Sequence, residues 1–388
     1  MKALISLLTI EGGGWHTYCE KLSMLLISHG YEVDYIVDRG NNKFNLIYGN
    51  AAAVFFVLNR ALESRDKVIN RVSKKISGNG RYDLGINISS EYGNDIFGKL
   101  NIPKIITTIH SIKPREIRNA IQSNYGVHEI LAVSENVRNA AVHDMRLNKS
   151  DIRVLPPITL NQCSTEIKTN DGDINLLYLG RVTKEAKRAD KIPNLVRRLS
   201  SLGLKANFHI VGDGDYLPII QKSLLEMPMT VTMVYHGWKK SEEVNQILSK
   251  SHILILMSSY EGCPHSVLEA MAFGVVPVVT EIIGSTSNII QNNEDGILIR
   301  DGDVDEFANT IFMLAKNPNR LNLMSNLGKL KFSKDYSEEK ITAEWIKIIS
   351  KNSSKAIIVK RAFKITDFII GRAAWLMVSR FLKALRVL

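Results

Sequence analysis

Ser259-Tyr260-Glu261-Gly262-Cys263-Pro264-His265-Ser266-Val267-Leu268-Glu269-Ala270-Met271-Ala272 lies between two short apolar runs, His252 to Met257 and Val275 to Thr280. Both runs read as buried strands, and Ser266 to Phe273 reads as a helix. The stretch is therefore strand, turn, helix, strand, the unit of a parallel sheet. Glu261 falls at the C-terminal end of the first strand. Glu269 falls about one turn into the helix, on a side flanked by Leu268, Ala270 and Met271. Ligands of open α/β sheets collect outside these strand ends. In the turn that includes Pro264, the backbone N–H groups of Gly262, Cys263, His265 and Ser266 would offer donors to hydroxyls or phosphate. Carboxylates are good acceptors for vicinal sugar hydroxyls. The helix dipole accounts for one acidic residue at such a place, but not for the second.

Outward from this stretch the same alternation repeats. Strands are expected at Ile174 to Leu179, Ala206 to Val211 and Val231 to Tyr235, with helices at Asp190 to Leu202, Tyr216 to Leu225 and Glu242 to Ser249. Upstream, Leu155-Pro156-Pro157 and the polar residues 161–173 mark a break. Before it lies a second series. Lys2 to Ile10 is a strand and Gly12-Gly13-Gly14 a loop. A helix ends at His29-Gly30, and Glu32 to Val37 is the next strand. Leu84 to Ile88, Lys104 to Ile109 and Glu129 to Val133 follow as strands, and Phe44 to Lys75 is helical in pattern. Two successive βα series predict an α/β chain with two Rossmann-like, doubly wound parallel-sheet domains, 1–160 and 161–335, facing each other across a cleft. Ser337 to Lys351 reads as a helix with Trp345 and Ile349 inward, and 336–354 is assigned as a segment returning to the first domain.

The 388 residues carry 50 Lys and Arg against 39 Asp and Glu, a net charge of +11. Residues 336–388 hold 11 basic and 4 acidic side chains, so the excess concentrates there. A nucleic-acid-binding groove with interleaved aromatics does not look like this, and no nucleic-acid partner is expected. The three cysteines, Cys19, Cys163 and Cys263, form no C-x-x-C pair, which gives no disulfide or zinc framework and suits a reducing compartment. The apolar run after Lys2 is too short for a signal peptide, and no run reaches 18 residues. In the last 34 residues, Phe363, Ile370, Ala374, Met377, Phe381, Leu385 and Leu388 form one helical stripe opposite Arg361, Lys364, Arg372, Lys383 and Arg386. A basic face opposite an apolar one suits an anionic membrane surface, so 355–388 is read as an amphipathic helical tail.

The run Tyr260-Glu261-Gly262-Cys263-Pro264 to Leu268-Glu269-Ala270-Met271-Ala272, with its glutamates separated by seven residues, resembles the signature of retaining glycosyltransferase family 4, glycosyl transferases group 1, on the GT-B fold. Gly274 to Val279 and Asp295 to Ile299 resemble later segments of the same domain. The resemblance covers 174–350 firmly and 1–160 loosely. It implies a nucleotide-sugar donor in the second domain and an acceptor on the first. Glu269 would hold ribose hydroxyls, and Glu261 would lie near the donor sugar and diphosphate. Leu179-Gly180-Arg181 and the lysine that follows, Lys187 or Lys184 with Lys187 preferred, match the family's cationic strand end. Two such cations can neutralise a departing diphosphate. Gly212 in Val211-Gly212-Asp213-Gly214 resembles the turn under the nucleotide, and Gly237-Trp238 the segment beside its base. In the first domain, Gly13 and Gly14 fit the family's phosphate-facing loop, and His110 in Thr108-Ile109-His110-Ser111 fits a contact to the donor sugar.

These readings predict a retaining transferase moving a sugar from a UDP- or GDP-sugar to a lipid-linked, polysaccharide or lipopolysaccharide acceptor. It would need no metal or other cofactor and would sit in the cytoplasm at the inner face of the cell membrane. No carboxylate is placed as an evident double-displacement nucleophile. The alternative on the same fold is a nucleotide-sugar epimerase or hydrolase. A dehydrogenase would need G-x-G-x-x-G after the first strand, whereas Gly12-Gly13-Gly14-Trp15-His16-Thr17 lacks the third glycine.

Overall fold

Strands that are apolar on both faces need helices on both faces, and the chain meets that demand twice. The computed structural model describes residues 1–9, 14–39, 52–57, 63–159, 173–224, 230–351 and 356–359. Seven parallel strands make the first sheet: β1 (Lys2–Thr9), β2 (Glu32–Arg39), β3 (Ala53–Phe56), β4 (Leu84–Ile88), β5 (Ile105–Ile109), β6 (Glu129–Ala132) and β7 (Ile152–Val154). Their order is β3-β2-β1-β4-β5-β6-β7. Helices α1 (Gly14–Ser28), α2 (Arg65–Ser77), α3 (Gly93–Lys99), α4 (Pro114–Ile121) and α5 (Glu135–Met145) connect them. Every residue of β4 and β5 is buried. The strand order reverses between β1 and β4, which makes that edge the switch point of this sheet.

The second sheet has six parallel strands, β8 (Ile174–Leu179), β9 (Ala206–Val211), β10 (Val231–Gly237), β11 (Ile253–Leu256), β12 (Val276–Thr280) and β13 (Ile297–Ile299), in the order β10-β9-β8-β11-β12-β13. Its helices are α6 (Ile192–Ser201), α7 (Leu217–Leu224), α8 (Ser241–Lys250), α9 (His265–Ala272), α10 (Thr286–Ile289), α11 (Val304–Ala315) and α12 (Pro318–Asp335), and α13 (Glu338–Ser350) follows. Period-two alternation divides its core into two layers. Leu176, Tyr178, Ile253 and Ile255 pack with Leu195 of α6 and Phe307 of α11. Leu177, Leu179, Leu254 and Leu256 pack on the other face with Leu248 of α8 and Leu268 of α9. Here the order reverses between β8 and β11.

The chain divides into two compact units. One holds Met1–Val133, Val137–Leu155 and the chain from Ile346; the other holds Ser134–Asn136 and Pro156–Trp345. Apart from Ser134–Asn136, the chain passes from one unit to the other between Leu155 and Pro156. Within α13, Ile341, Trp345 and Ile348 are buried at helical spacing, while Ile349 is half-buried. Inside the first unit, Lys104 Nζ donates to the Ile348, Ile349 and Lys351 carbonyls and so satisfies acceptors at the C-terminal end of α13.

The structure corrects one reading. Within Phe44 to Lys75, expected as helical, Ala53–Phe56 is β3, paired in parallel with β2, and the helix begins only at Arg65. The continuous apolar run Ala51 to Leu58 carries no period that separates helix from strand, so strand pairing decides it. Ile357 forms an antiparallel bridge with Val127, and Ser123 N–H donates to the Val359 carbonyl at 3.0 Å. Residues 356–359 thus dock on the first unit instead of opening a helix. Residues 360–388, which carry the amphipathic stripe, lie outside the described residues, as do Gly13, Cys163 and most of the polar stretch 161–173.

Candidate functional site in the second unit

The C-terminal ends of β8, β9, β10 and β11 meet at the switch point of the second sheet, and backbone ties hold them in one surface. Gly180 N–H donates to the Val211 carbonyl at 3.0 Å, and Gly212 N–H to the Gly237 carbonyl at 2.8 Å. Val182 N–H reaches the Asp213 carbonyl at 2.9 Å. Gly212 has φ +134, and a Cβ there would lie 1.9 Å from the Gly180 carbonyl oxygen, so only glycine lets these two turns touch. The loop after β8 is also tied to the loop after β11. Ser259 N–H donates to the Ala186 carbonyl at 2.9 Å, and Ser259 Oγ to the Glu185 carbonyl at 2.8 Å.

These ties bring Lys187 onto Glu261. Lys187 Nζ lies 2.7 Å from Glu261 Oε1, and both side chains are largely buried. Ser258 Oγ donates to the same oxygen at 2.6 Å. Glu261 Oε2 has no partner among the described residues and stays available as an acceptor. Lys187 also passes over Gly180, where a Cβ would meet its Cε at 3.6 Å. Of the two lysines left open by the sequence, Lys187 is the one at the strand end. Arg181 has an exposed side chain, while its carbonyl accepts from Tyr178 Oη at 2.6 Å. Arg188 has φ +50, and its guanidinium forks onto Asp190 at 3.1 and 3.2 Å, fixing the backbone just beyond Lys187.

Pro264 caps α9, and His265 and Ser266 open it. His265 Nδ1 and Ser266 Oγ are buried without a partner among the described residues. Burial pushes the Glu269 carboxyl up to about 7 against the opposing pull of Lys187. No described residue donates to that carboxylate. Burial, helped by Lys187, holds the His265 imidazole down at about 4. Burial, with Glu261 adding to it, pushes the Cys263 thiol up to about 12, so it is no nucleophile at neutral pH. A buried carboxylate without donors, beside orphaned polar atoms at a helix start, fits a hydroxyl-rich anionic ligand. Gly237 has φ +66, and Trp238 beyond it is 65% exposed at the end of β10.

The expected residues Arg181, Lys187, Gly212, Gly237, Trp238, Glu261, Gly262, Cys263, Pro264, His265, Ser266 and Glu269 all belong to this one end of the second sheet. His110 and Gly14 belong to the first unit. His110 follows β5, where its Nε2 shares a 2.9 Å hydrogen bond with Thr108 Oγ1 and its ring meets Tyr18 edge-on at 4.4 Å. Gly14 opens α1. Sequence reasoning missed Ser258, although it directly precedes the Ser259-Tyr260-Glu261 run. It also missed the half-buried pair His209 and His236, whose Nδ1 and Nε2 lie 3.0 Å apart across β9 and β10.

Two parallel-sheet Rossmann-like domains in one chain, the second with cations and carboxylates at its switch point, define the GT-B class. Solved structures agree on the fold. The Anabaena protein Alr3699/HepE in complex with UDP-glucose superposes with a TM-score of 0.74 at 14% identity, covering 90% of this chain and 99% of that one. The lipopolysaccharide outer core galactosyltransferase WaaB superposes with a TM-score of 0.68 at 19% identity, covering 89% and 99%. Residues 164–331 match the model of the family described as glycosyl transferases group 1. Lipopolysaccharide 1,6-galactosyltransferase of Escherichia coli strain K12 is 25% identical over 189 residues, 46% of this chain and 50% of that protein. The chain thus matches about half the length of that relative. UDP-Gal:alpha-D-GlcNAc-diphosphoundecaprenol alpha-1,3-galactosyltransferase of Escherichia coli is 25% identical over 280 residues, 63% and 69% of the two chains.

Proposed function

We propose that the chain is a glycosyltransferase that carries a sugar from a nucleoside-diphosphate sugar, a UDP-sugar first among candidates, to a lipid-linked or lipopolysaccharide acceptor with retention at the anomeric carbon. The observation that carries this reading is the Lys187–Glu261 contact of 2.7 Å at the switch point. One Nζ–H is directed at Glu261, and the ammonium group has two more donors to offer a diphosphate. Glu261 Oε2 would accept from a donor-sugar hydroxyl. Glu269 would accept from the ribose diol, and Arg181 would share the phosphate charge. The bond from the anomeric carbon to the phosphate oxygen breaks, and its electron pair leaves with the diphosphate. The acceptor oxygen bonds to the same face of that carbon, and its proton passes to the leaving phosphate oxygen. Growth of phosphate charge in this step is what Arg181 and Lys187 would stabilise, and the scheme calls on no metal.

The relatives named for lipopolysaccharide and diphosphoundecaprenol acceptors support the acceptor class. Among the described residues no helix is long and apolar enough to cross a membrane. The basic face opposite the apolar stripe in the sequence of 360–388 supports attachment of that segment to an anionic membrane surface. Melting curves with UDP, GDP and their sugars test donor binding, since a ligand of the folded state raises its stability. Nucleoside diphosphate released only when an acceptor is present marks a transferase; release or isomerisation without one marks the epimerase or hydrolase alternative.

A further inference from the structure

Outside the Lys187–Glu261 cluster, two histidines face each other across β9 and the edge strand β10. Both are half-buried. His209 Nδ1 and His236 Nε2 lie 3.0 Å apart, while the ring centres are 5.3 Å apart and the planes differ by 19°. Centres so much farther apart than the facing nitrogens put the rings end to end, close to one plane. That is the geometry of a hydrogen bond and not of a stack. One facing nitrogen carries the hydrogen, and the other is bare.

The pair stands where the backbone pairing slips. The register runs from Tyr235↔Ile210 to Gly237↔Val211, so His236 is the extra residue of a bulge. Its ring contact with His209 joins the two strands at that point. Immediately beyond it, the Gly237 carbonyl accepts from Gly212 N–H at 2.8 Å. Two residues beyond His209, the Val211 carbonyl accepts from Gly180 N–H at 3.0 Å. A change in the histidine contact is therefore passed directly to the glycine turns that frame the candidate site.

By strand alternation His209 shares a face with Val211, in the layer of Leu177, Leu179 and Leu248 with Val244 and Ile247 of α8 beside it. These side chains carry no charge. The charged group that acts on the pair is Lys239, just before α8, itself paired with Glu243 at 2.7 Å. Burial, then the neighbouring ring, holds His209 below its usual range. Burial, then Lys239, holds His236 below it. Both rings are therefore neutral at neutral pH, with two protons on four nitrogens. A third proton goes to an outward nitrogen and leaves the contact intact. A fourth puts hydrogen on both facing nitrogens and turns the contact into a repulsion.

We propose that His209 and His236 form a proton-operated latch on the edge strand, closed with up to three protons and open with four, which loosens the β9 and β10 turns when it opens. Its effect on nucleotide binding rests on the donor reading above; the latch itself does not. The test compares the full-length wild type with His209→Gln, whose amide offers a donor or an acceptor at any pH and keeps the strands joined. Three readouts are followed from about pH 8 down to about pH 4: NMR shifts of the ring nitrogens, protection of the Gly212 amide against hydrogen exchange, and UDP affinity. In the wild type the two rings should titrate as one coupled pair in two steps, the first below 6.5. In the variant His236 should show a single step. Across the second step, Gly212 protection and UDP affinity should each fall about fivefold or more relative to the variant. The ratio of wild type to variant cancels every other titrating group, Glu269 included. Rings that titrate independently, a pair that takes only one proton over the whole range, or a ratio for Gly212 protection or UDP affinity that stays flat would overturn the inference. His236→Gln makes the same comparison if His209→Gln fails to fold. A wild type that binds no UDP at any pH contradicts the donor reading, and Gly212 protection then still decides the latch.

Discussion

At the scale of single residues, the account divides ground-state binding from rate. Interactions that strengthen only as charge develops raise kcat. Lys187→Ala and Arg181→Ala should therefore each lower kcat by about 100-fold, as loss of one preorganised donor does elsewhere. The melting temperature should hardly move in Arg181→Ala, whose side chain is exposed, and should fall in Lys187→Ala, which leaves the largely buried Glu261 without its cation. Steady-state kinetics with a melting curve checks both at once. Glu269→Ala should raise donor KM more than it lowers kcat. The pH dependence of Glu269 has a definite sign. Its folded pKa is raised from 4.5 to about 7, so its contribution to stability is full below 4.5 and is lost as pH rises through 7. Melting points of the free protein should therefore fall between about pH 5 and pH 8, and less steeply in Glu269→Gln. UDP affinity should rise over the same range, because a diol donates best to the ionised carboxylate, and should flatten in Glu269→Gln. A UDP affinity that falls with rising pH would remove the diol assignment.

At the scale of elements, the strand-end turns are the design. Gly212→Ala should force the β8 and β9 turns apart, at a strain of about 1–3 kcal/mol. UDP affinity should drop by about tenfold, together with the melting temperature, as calorimetry of binding and unfolding would read. The alternation of short apolar runs made ten strands legible, because strands buried on both faces are apolar throughout and bounded by turn residues. The Glu261 to Glu269 spacing made the carboxylates of the candidate site legible, since strand, turn and helix place both at one sheet end. The short strands β3, β7 and β13 and the contacts between distant residues were not legible. β3 exists because β2 offers it an edge, and a continuous apolar run such as Ala51 to Leu58 has no period to separate strand from helix. The Lys187–Glu261 contact depends on residues distant in sequence coming together, and no local spacing encodes that; Ser258, three residues before Glu261, was passed over although its contact is local. Lys187 was already preferred over Lys184 from the sequence, and Gly180 and Ser259 hold the intervening loop that sets it on Glu261.

At the scale of the whole molecule, residues 356–359 seal an edge of the first unit against Ser123 and Val127, and the basic stripe begins only after them. A chain cut after Val359 should keep its melting temperature. One cut after Ser354 should lose stability, because the Val127 and Ser123 pairings go with it. With the stripe removed, recovery in a membrane pellet should fall, and high salt should mimic the loss in the intact protein. Pelleting that salt and truncation leave unchanged would refute the attachment role. The central claim, transfer from a nucleotide sugar by the Arg181, Lys187 and Glu261 cluster, is tested most directly by one assay. Purified protein is incubated with UDP- and GDP-sugars, with and without GlcNAc-diphosphopolyprenol or lipopolysaccharide core, and released nucleoside diphosphate is counted beside the glycosylated product. The account predicts equimolar diphosphate and product with one donor, dependent on acceptor and reduced about 100-fold in Lys187→Ala. Full turnover in Lys187→Ala and Arg181→Ala, or diphosphate released without product, would contradict it.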